Sequence, residues 1–394
     1  MKKAFTILFL ISLTANSSVT IAQRVKTKQQ FRNAARQVSY MLATIDSMKV
    51  VSSPSGVVAP RTSENGKLKM VKGTDWTSGF FAGNLWYMYE QTRDESLLNA
   101  AKKYTSLLEP LQFFAGHHDL GFMMYCSYGN GFRLTGDTAY KRVIIQAART
   151  LSTRFNKTTG VIKSWDFASD HKWKYPVIID NMMNLELLFE ATNLTGDSSF
   201  YRIAVTHANT TINNHYRPDN SSVHVVDYDP ETGAVRQKHT AQGFSDASAW
   251  ARGQAWGLYG FTMSYRKTKD AAYLQQAEKV AAYILSRLPK DMVPFWDHDA
   301  PGIPGEPRDA SAAAITASAL YELHTFNKKA GYKKAADKML DALCSNYLAK
   351  PRTYNGFILL HSTGHKPAQS EVDVPIIYAD YYFLEALKRS KSMK

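Results

Sequence analysis

Cysteine is almost missing: the 394-residue chain has two, Cys126 and Cys344. Two thiols make no disulfide framework, and no Cys-x-x-Cys or His-Glu-x-x-His spacing offers a metal site. No metal and no cofactor is therefore expected. Both cysteines lie in apolar, helix-like stretches and are expected as free buried thiols, although an oxidising compartment would let them pair. Long hydrophobic runs are also lacking. The longest, Ala4 to Leu13, is too short to span a bilayer, so no membrane insertion is expected. There is no Gly/Ser linker and no low-complexity block to cut the chain into domains. Acidic residues are fewer than basic ones, 34 against 48, for a net charge of +14. That excess suits anionic partners. No nucleic-acid motif and no basic helix with interleaved aromatics is present, so nucleic acid is set aside. An acidic carbohydrate and a merely solvated basic surface both remain open.

The N-terminus reads as an export signal. Lys2 and Lys3 precede the apolar run, and Ala22 is a plausible cleavage residue with Thr20 shortly before it. Residues 1–22 are expected as the signal peptide and 23–394 as one catalytic domain, periplasmic or secreted. No Cys follows the signal, which argues against a lipid anchor.

What the chain has in quantity is apolar and aromatic surface, 44% hydrophobic and 12% aromatic residues. It is arranged as a repeat. Six segments nearly apolar on all sides alternate with six amphipathic ones, the first amphipathic helix being 27–48. An Asp stands at or just before each apolar segment: Asp75, Asp119, Asp180, Asp246, Asp309 and Asp373, spaced by 44, 61, 66, 63 and 64 residues. All-round apolar helices must be buried and one-sided helices must cover them. Leu134-Thr135-Gly136-Asp137 and Leu194-Thr195-Gly196-Asp197 are matching junctions, Gly stopping one helix and Asp capping the next. Twelve alternating helices close most naturally into an all-α (α/α)6 barrel with every inner helix starting at one funnel mouth. The fourth inner helix is expected over 247–265 and the sixth over 375–389, and the stretch from Ser52 to Gly73 as a loop. Asp75, Asp309 and Asp373 read as helix caps.

Asp119 and Asp180 have more unusual neighbours. Asp180 sits inside Pro-Val-Ile-Ile-Asp-Asn-Met-Met-Asn (176–184), where poor solvation should raise its pKa and let it keep a proton near neutrality. Two carboxyls on adjacent inner helices could share a proton, the arrangement glycosidic chemistry uses. Trp76, at a helix entrance, reads as a sugar-stacking wall, whereas Trp86 and Phe122 read as core. In Gln242 to Trp256, Arg252 and Trp256 lie four apart on one helix face, a planar cation beside an aromatic. That pair suits a carboxylate-bearing sugar. The alternative is an internal ion pair between Arg252 and a rim Asp.

These stretches resemble the unsaturated glucuronyl hydrolases, glycoside hydrolase family 88. The matching pieces are His117 to Phe122, Asp180 to Asn184, His224 through Gly233, Gln242 to Trp256 and Asp309 to Ala312, so the resemblance covers nearly the whole mature chain. The (α/α)6 barrel is the fold it implies. The reaction it implies is hydration of the C4=C5 enol ether of an unsaturated uronate in disaccharides left by polysaccharide lyases. Asp180 would be the acid and base, and Asp119 would hold the C2 and C3 hydroxyls. His224, Gln242 and Arg252 would handle water and the carboxylate, Trp76 and Trp256 the ring, with His118 close by. In the loop His361 to Lys366, Lys366 would meet the second sugar. The family often has His where this chain has Ala241. Three other readings remain open here: an unsaturated rhamnogalacturonyl hydrolase, an ordinary inverting glycosidase, and a non-catalytic sugar-binding barrel.

Overall fold

The computed structural model describes residues 27–51, 56–167, 171–328 and 331–393. The expected signal peptide lies outside them. In the first helix, α1 (27–48), the spacing of Phe31, Ala34, Val38, Met41 and Ile45 places one apolar stripe on the core.

Then comes a departure from expectation. The stretch read as a loop holds an antiparallel hairpin, β1 (Val57–Glu64) with β2 (Lys67–Lys72). Asn65 and Gly66 both have positive φ, at 49° and 74°. This is the Asn-Gly turn whose twist matches a two-residue hairpin.

The inner helices follow in chain order. They are α2 (Ser78–Thr92), a π-helical stretch Gly121–Gly129 running into α4 (Asn130–Thr135), α6 (Leu185–Thr195), α8 (Ala251–Thr268), α10 (Ala310–Phe326) and α12 (Ile377–Ser392). Between them lie the outer α3 (Glu95–Ser106), α5 (Thr138–Ser152), α7 (Ser198–His215), α9 (Ala271–Arg287) and α11 (Tyr332–Asn346). Each inner helix packs on its neighbours in the series, and α12 packs back on α2, which closes the ring. The inner helices are buried on every side over long runs: Ser78 to Met88, Ala251 to Ser264, Ala310 to Leu323 and Ile377 to Leu387. The (α/α)6 barrel expected from the repeat is the fold.

The junction device recurs more often than the two matching copies suggested. A left-handed residue ends the inner helix and an Asp caps the outer one at Arg93-Asp94, Gly136-Asp137, Gly196-Asp197 and Lys269-Asp270. It turns the chain at the end of the barrel opposite the funnel.

Two helix starts differ from expectation. Helix α8 begins at Ala251, not 247, because the Asp246 carboxylate is held by the Thr240 N–H at 2.8 Å and by His239. Helix α12 begins at Ile377, and Asp373 does not cap it; its carboxylate pairs with His361 at 2.7 Å. Asp309 does cap α10, through the Ser311 and Ala312 N–H groups. Asp75 accepts from the Thr77 N–H at 2.9 Å, just ahead of α2. Cys126 and Cys344 form no disulfide.

Inner helices approach so closely that glycine becomes obligatory. A β-carbon on Gly79 would stand 2.2 Å from the Met123 carbonyl oxygen, a backbone atom that cannot step aside. Gly79→Ala is expected to cost about 1–3 kcal/mol, read as a lower urea midpoint with an unchanged slope.

Candidate active site

A small sheet aims the central carboxyl. Strands β3 (Tyr175–Ile178), β4 (Val225–Tyr228) and β5 (Val235–His239) pair antiparallel in that order. The Ile179 N–H continues the ladder to the His224 carbonyl at 3.0 Å. The chain then tightens into a 3-10 turn, Ile179–Asn184, before α6. Asp180 therefore stands within a turn rather than opening the helix as expected. The same turn aims two amides that sequence reasoning did not single out. Asn181 donates to the Ile162 carbonyl at 2.7 Å, and the Asn184 side-chain oxygen accepts from the Phe122 N–H at 3.0 Å. The Asn184 amide also faces the Asp119 carboxylate, so it ties the two acidic segments together. Its signal was the i, i+4 spacing from Asp180.

Asp119 is wrapped in imidazoles. Its oxygens lie 3.2 Å from His117 Nδ1 and 3.3 Å from His118 Nε2. Burial pushes its pKa up, but His118, His117 and Asn184 outweigh that and hold it below the ordinary carboxylate value. His118 is fully enclosed, and burial pushes it down to about 4, so it is neutral. Asp180 behaves oppositely. Burial is the largest influence and raises it to about 7; the Asp119 charge adds to the rise, while Arg252 and the Trp256 indole N–H oppose it. One carboxyl is ionised and its neighbour keeps a proton near neutrality, the division of labour an acid–base pair needs.

His224 presents a third group. Its Nδ1 accepts from the Ala241 and Gln242 N–H groups at 3.0 and 3.1 Å, and its Nε2 lies 3.8 Å from Asp180 Oδ2. Burial pushes its pKa well down, so the ring is neutral.

Two residues take places other than those expected. Arg252 is 1% exposed. Its guanidinium pairs with Asp309 at 2.8 Å, donates to the Thr363 and Gly364 carbonyls, and lies over the Trp250 and Tyr378 rings. The internal ion pair is what forms, because a cation at this depth needs an anion beside it. Trp256 is fully buried against Phe122 and Tyr382. It backs Asp180 instead of offering a face to a ring. Trp86 is also fully buried and bonded to Thr105.

Trp76 is half-buried at the mouth, packed on Tyr378 at 4.9 Å and on Phe80 and Phe122. The adjacent Asp75 is clamped by Arg61, which also grips Glu371. Gln242 donates to the Gly364 carbonyl at 3.1 Å. Lys366, on the same loop, is half-buried and has no ion pair among the described residues. Sequence reasoning missed Trp165, a half-buried ring stacked with Phe167 and lying 6.3 Å from His224.

A cavity of about 260 Å³ lies at the other end of the barrel, lined by Tyr87, Arg133, Glu385 and Arg389 among others. Neither Asp119 nor Asp180 lines it, and Arg133 and Arg389 are paired there with Glu90 and Glu385. Among the described residues no group of three or more His, Cys, Asp or Glu side chains could hold a metal ion. No helix among them is long and apolar enough to cross a membrane.

A ring of helices whose mouth holds an ionised and a proton-retaining carboxyl beside a half-buried tryptophan defines a carbohydrate-cleaving enzyme of the acid–base type. The chain belongs to Glycosyl Hydrolase Family 88, whose profile matches residues 55–390, and it is a glycosidase. It is 45% identical over 405 residues to the unsaturated glucuronyl hydrolase of Formosa agariphila, covering 100% of this chain and 99% of the relative. A solved unsaturated glucuronyl hydrolase specific for heparin superposes with a TM-score of 0.87 at 45% identity, covering 93% of this chain and 97% of the other. A mutant unsaturated glucuronyl hydrolase from Streptococcus agalactiae, complexed with dGlcA-GalNAc6S, gives 0.77 at 31% identity, covering 94% of this chain and 93% of the other.

Proposed function

We propose that this enzyme removes the unsaturated uronate from glycosaminoglycan disaccharides left by polysaccharide lyases, with Asp180 as general acid and then general base. The observation that carries this reading is the Asp180 carboxyl held to about 7 beside an ionised Asp119. In the substrate, C4=C5 and the ring oxygen form an enol ether. Asp180 gives its proton to C4, leaving an oxocarbenium-like centre at C5. Water adds at C5 and returns a proton to Asp180. The resulting hemiketal opens and the partner sugar leaves, with one water consumed and the acid regenerated. A glycosidase attacking C1 would need a second carboxyl as nucleophile or base; here the second carboxylate, Asp119, is occupied by two imidazoles and suits the ring hydroxyls.

Trp76 supplies an aromatic face for the ring, and His224 Nε2–H and the Gln242 amide flank the reacting carbons. Arg252 acts at one remove, fixing the Thr363–Gly364 backbone and with it the loop carrying Lys366. One relative's specificity for heparin and another's bound dGlcA-GalNAc6S support glycosaminoglycan fragments over pectin fragments. The conjugated ene-acid absorbs in the ultraviolet and hydration destroys that absorbance. Unsaturated heparin or chondroitin disaccharides should lose it in the presence of enzyme. No loss with any of them, or cleavage of saturated glucuronides, would refute the reading. We also place the enzyme in the periplasm or outside the cell, on the basic-then-apolar N-terminus. A mature chain beginning near Gln23 is the expected product of N-terminal sequencing.

The pH dependence follows. The acid must be protonated at the start of the cycle, so kcat should fall as pH rises through about 7, where Asp180 loses its proton. A rate still rising between pH 7 and 9 would show that another group supplies the proton.

A further inference from the structure

The tautomer of His224 is set by backbone. A ring nitrogen that accepts two N–H bonds carries no proton, so Nδ1, facing the Ala241 and Gln242 amides at 3.0 and 3.1 Å, is bare. The ring proton then sits on Nε2, which lies 3.8 Å from Asp180 Oδ2 with no other hydrogen-bond partner for either atom among the described residues. With the opposite tautomer, a bare Nε2 would face the acid and compete for the proton that belongs on the substrate.

The two amides belong to a turn with few supports of its own. Thr240 N–H is held by Asp246, and Gly243 N–H by the Thr240 hydroxyl at 2.8 Å. The next amide, Phe244 N–H, donates to Asp297 Oδ2 at 2.8 Å. Asp297 is fully buried, yet it hydrogen-bonds to neither Asp180 nor His224. Its other bonds come from the Ser248 hydroxyl at 2.8 Å and the Asp299 N–H at 2.9 Å. It thus joins the turn to the segment that leads into α8. Burying a carboxyl is costly, and three donors converge on this one to hold the turn.

We propose that Asp297 is a positioning residue for the hydration reaction: by anchoring the Ala241–Phe244 turn it keeps both amides on His224 Nδ1 and so presents Asp180 with an N–H donor. This rests on the function proposed above. When Asp180 has given its proton away, the Nε2–H is the neighbour that stabilises the carboxylate until water reprotonates it. Losing the anchor should therefore slow turnover more than it weakens binding.

The test uses the full-length enzyme labelled with ¹⁵N-histidine, with His224 assigned by its disappearance in His224→Gln. Long-range ¹H–¹⁵N spectra should show the Nε2–H tautomer in the wild type. Asp297→Ala should show a mixed or reversed tautomer and a kcat lowered about tenfold or more, a part of the roughly 10²- to 10⁴-fold that general acid–base groups carry, with KM within about threefold. Asp297→Asn, whose amide oxygen can still accept from Phe244, should keep the tautomer and recover most of kcat. An Nδ1–H ring in the wild type overturns the proposal, as does Asp297→Ala with unchanged kcat. If Asp297→Ala does not fold, a reversed tautomer in Asp297→Asn with full activity overturns it equally. The spectra need no substrate, so a failed substrate assignment and a failed tautomer assignment are told apart.

Discussion

Asp180→Asn should lose about 10³- to 10⁴-fold in kcat on an unsaturated disaccharide, the upper range for removing a general acid–base group, while binding persists. The amide keeps the shape of the carboxyl and cannot protonate C4. The same substitution should make the protein more stable at alkaline pH. The folded-state pKa of about 7 lies above that of an unfolded Asp, so the fold prefers the protonated form. Stability from this group is fully present below the unfolded value near 4, declines as pH rises through 7, and is then flat. A shift of that size corresponds to a ceiling of about 4 kcal/mol. Thermal melts should therefore show wild type and Asp180→Asn close together at pH 4 and the variant ahead at pH 8. An active variant, or one no more stable at pH 8, would remove Asp180 from its role.

The second large effect concerns the buried pair behind the site. Asp309→Ala should destabilise by about 3–5 kcal/mol, because it leaves the Arg252 charge uncompensated in the core. Replacing both partners with apolar residues, Arg252→Met with Asp309→Leu, should recover much of that stability, since an ion pair at this depth barely offsets its own desolvation. Activity should not return, because the Thr363 carbonyl loses its guanidinium donor, the Gly364 carbonyl is left with Gln242 alone, and the loop carrying Lys366 loses its charged anchor. Denaturant unfolding and the ultraviolet assay on one preparation separate the two outcomes. If the double variant is as active as wild type, Arg252 does not position that loop.

The barrel was legible because its signal is one-dimensional. Helices such as α10, buried from Ala310 to Leu323 without a break, can only lie inside, and the Gly-Asp junctions mark where the chain turns outward. The special environment of Asp180 was legible for a similar reason: the residues on either side of it are apolar or amide. Side-chain direction was not legible. Arg252 and Trp256 do lie one turn apart, but the spacing does not say whether that face looks into the funnel or into the wall, and it looks into the wall. The Asp residues at 246 and 373 sit at the right period, yet each meets a histidine a short way upstream first, His239 at the end of a strand and His361 in the preceding loop, a competition that the helix period does not record. The Asn65-Gly66 hairpin was legible in principle; its strands carry Pro60 and several lysines, which masked the alternation.

The claim on which the account depends is that the proton goes from Asp180 to C4 and water goes to C5. Turnover of an unsaturated heparin or chondroitin disaccharide in D₂O and, separately, in ¹⁸O-water tests it most directly. NMR and mass analysis of the released uronate product should find deuterium on C4 and ¹⁸O on C5, with neither incorporated in Asp180→Asn. Label at C1 with no deuterium at C4 would mean direct attack on the glycosidic carbon, and the account would be wrong.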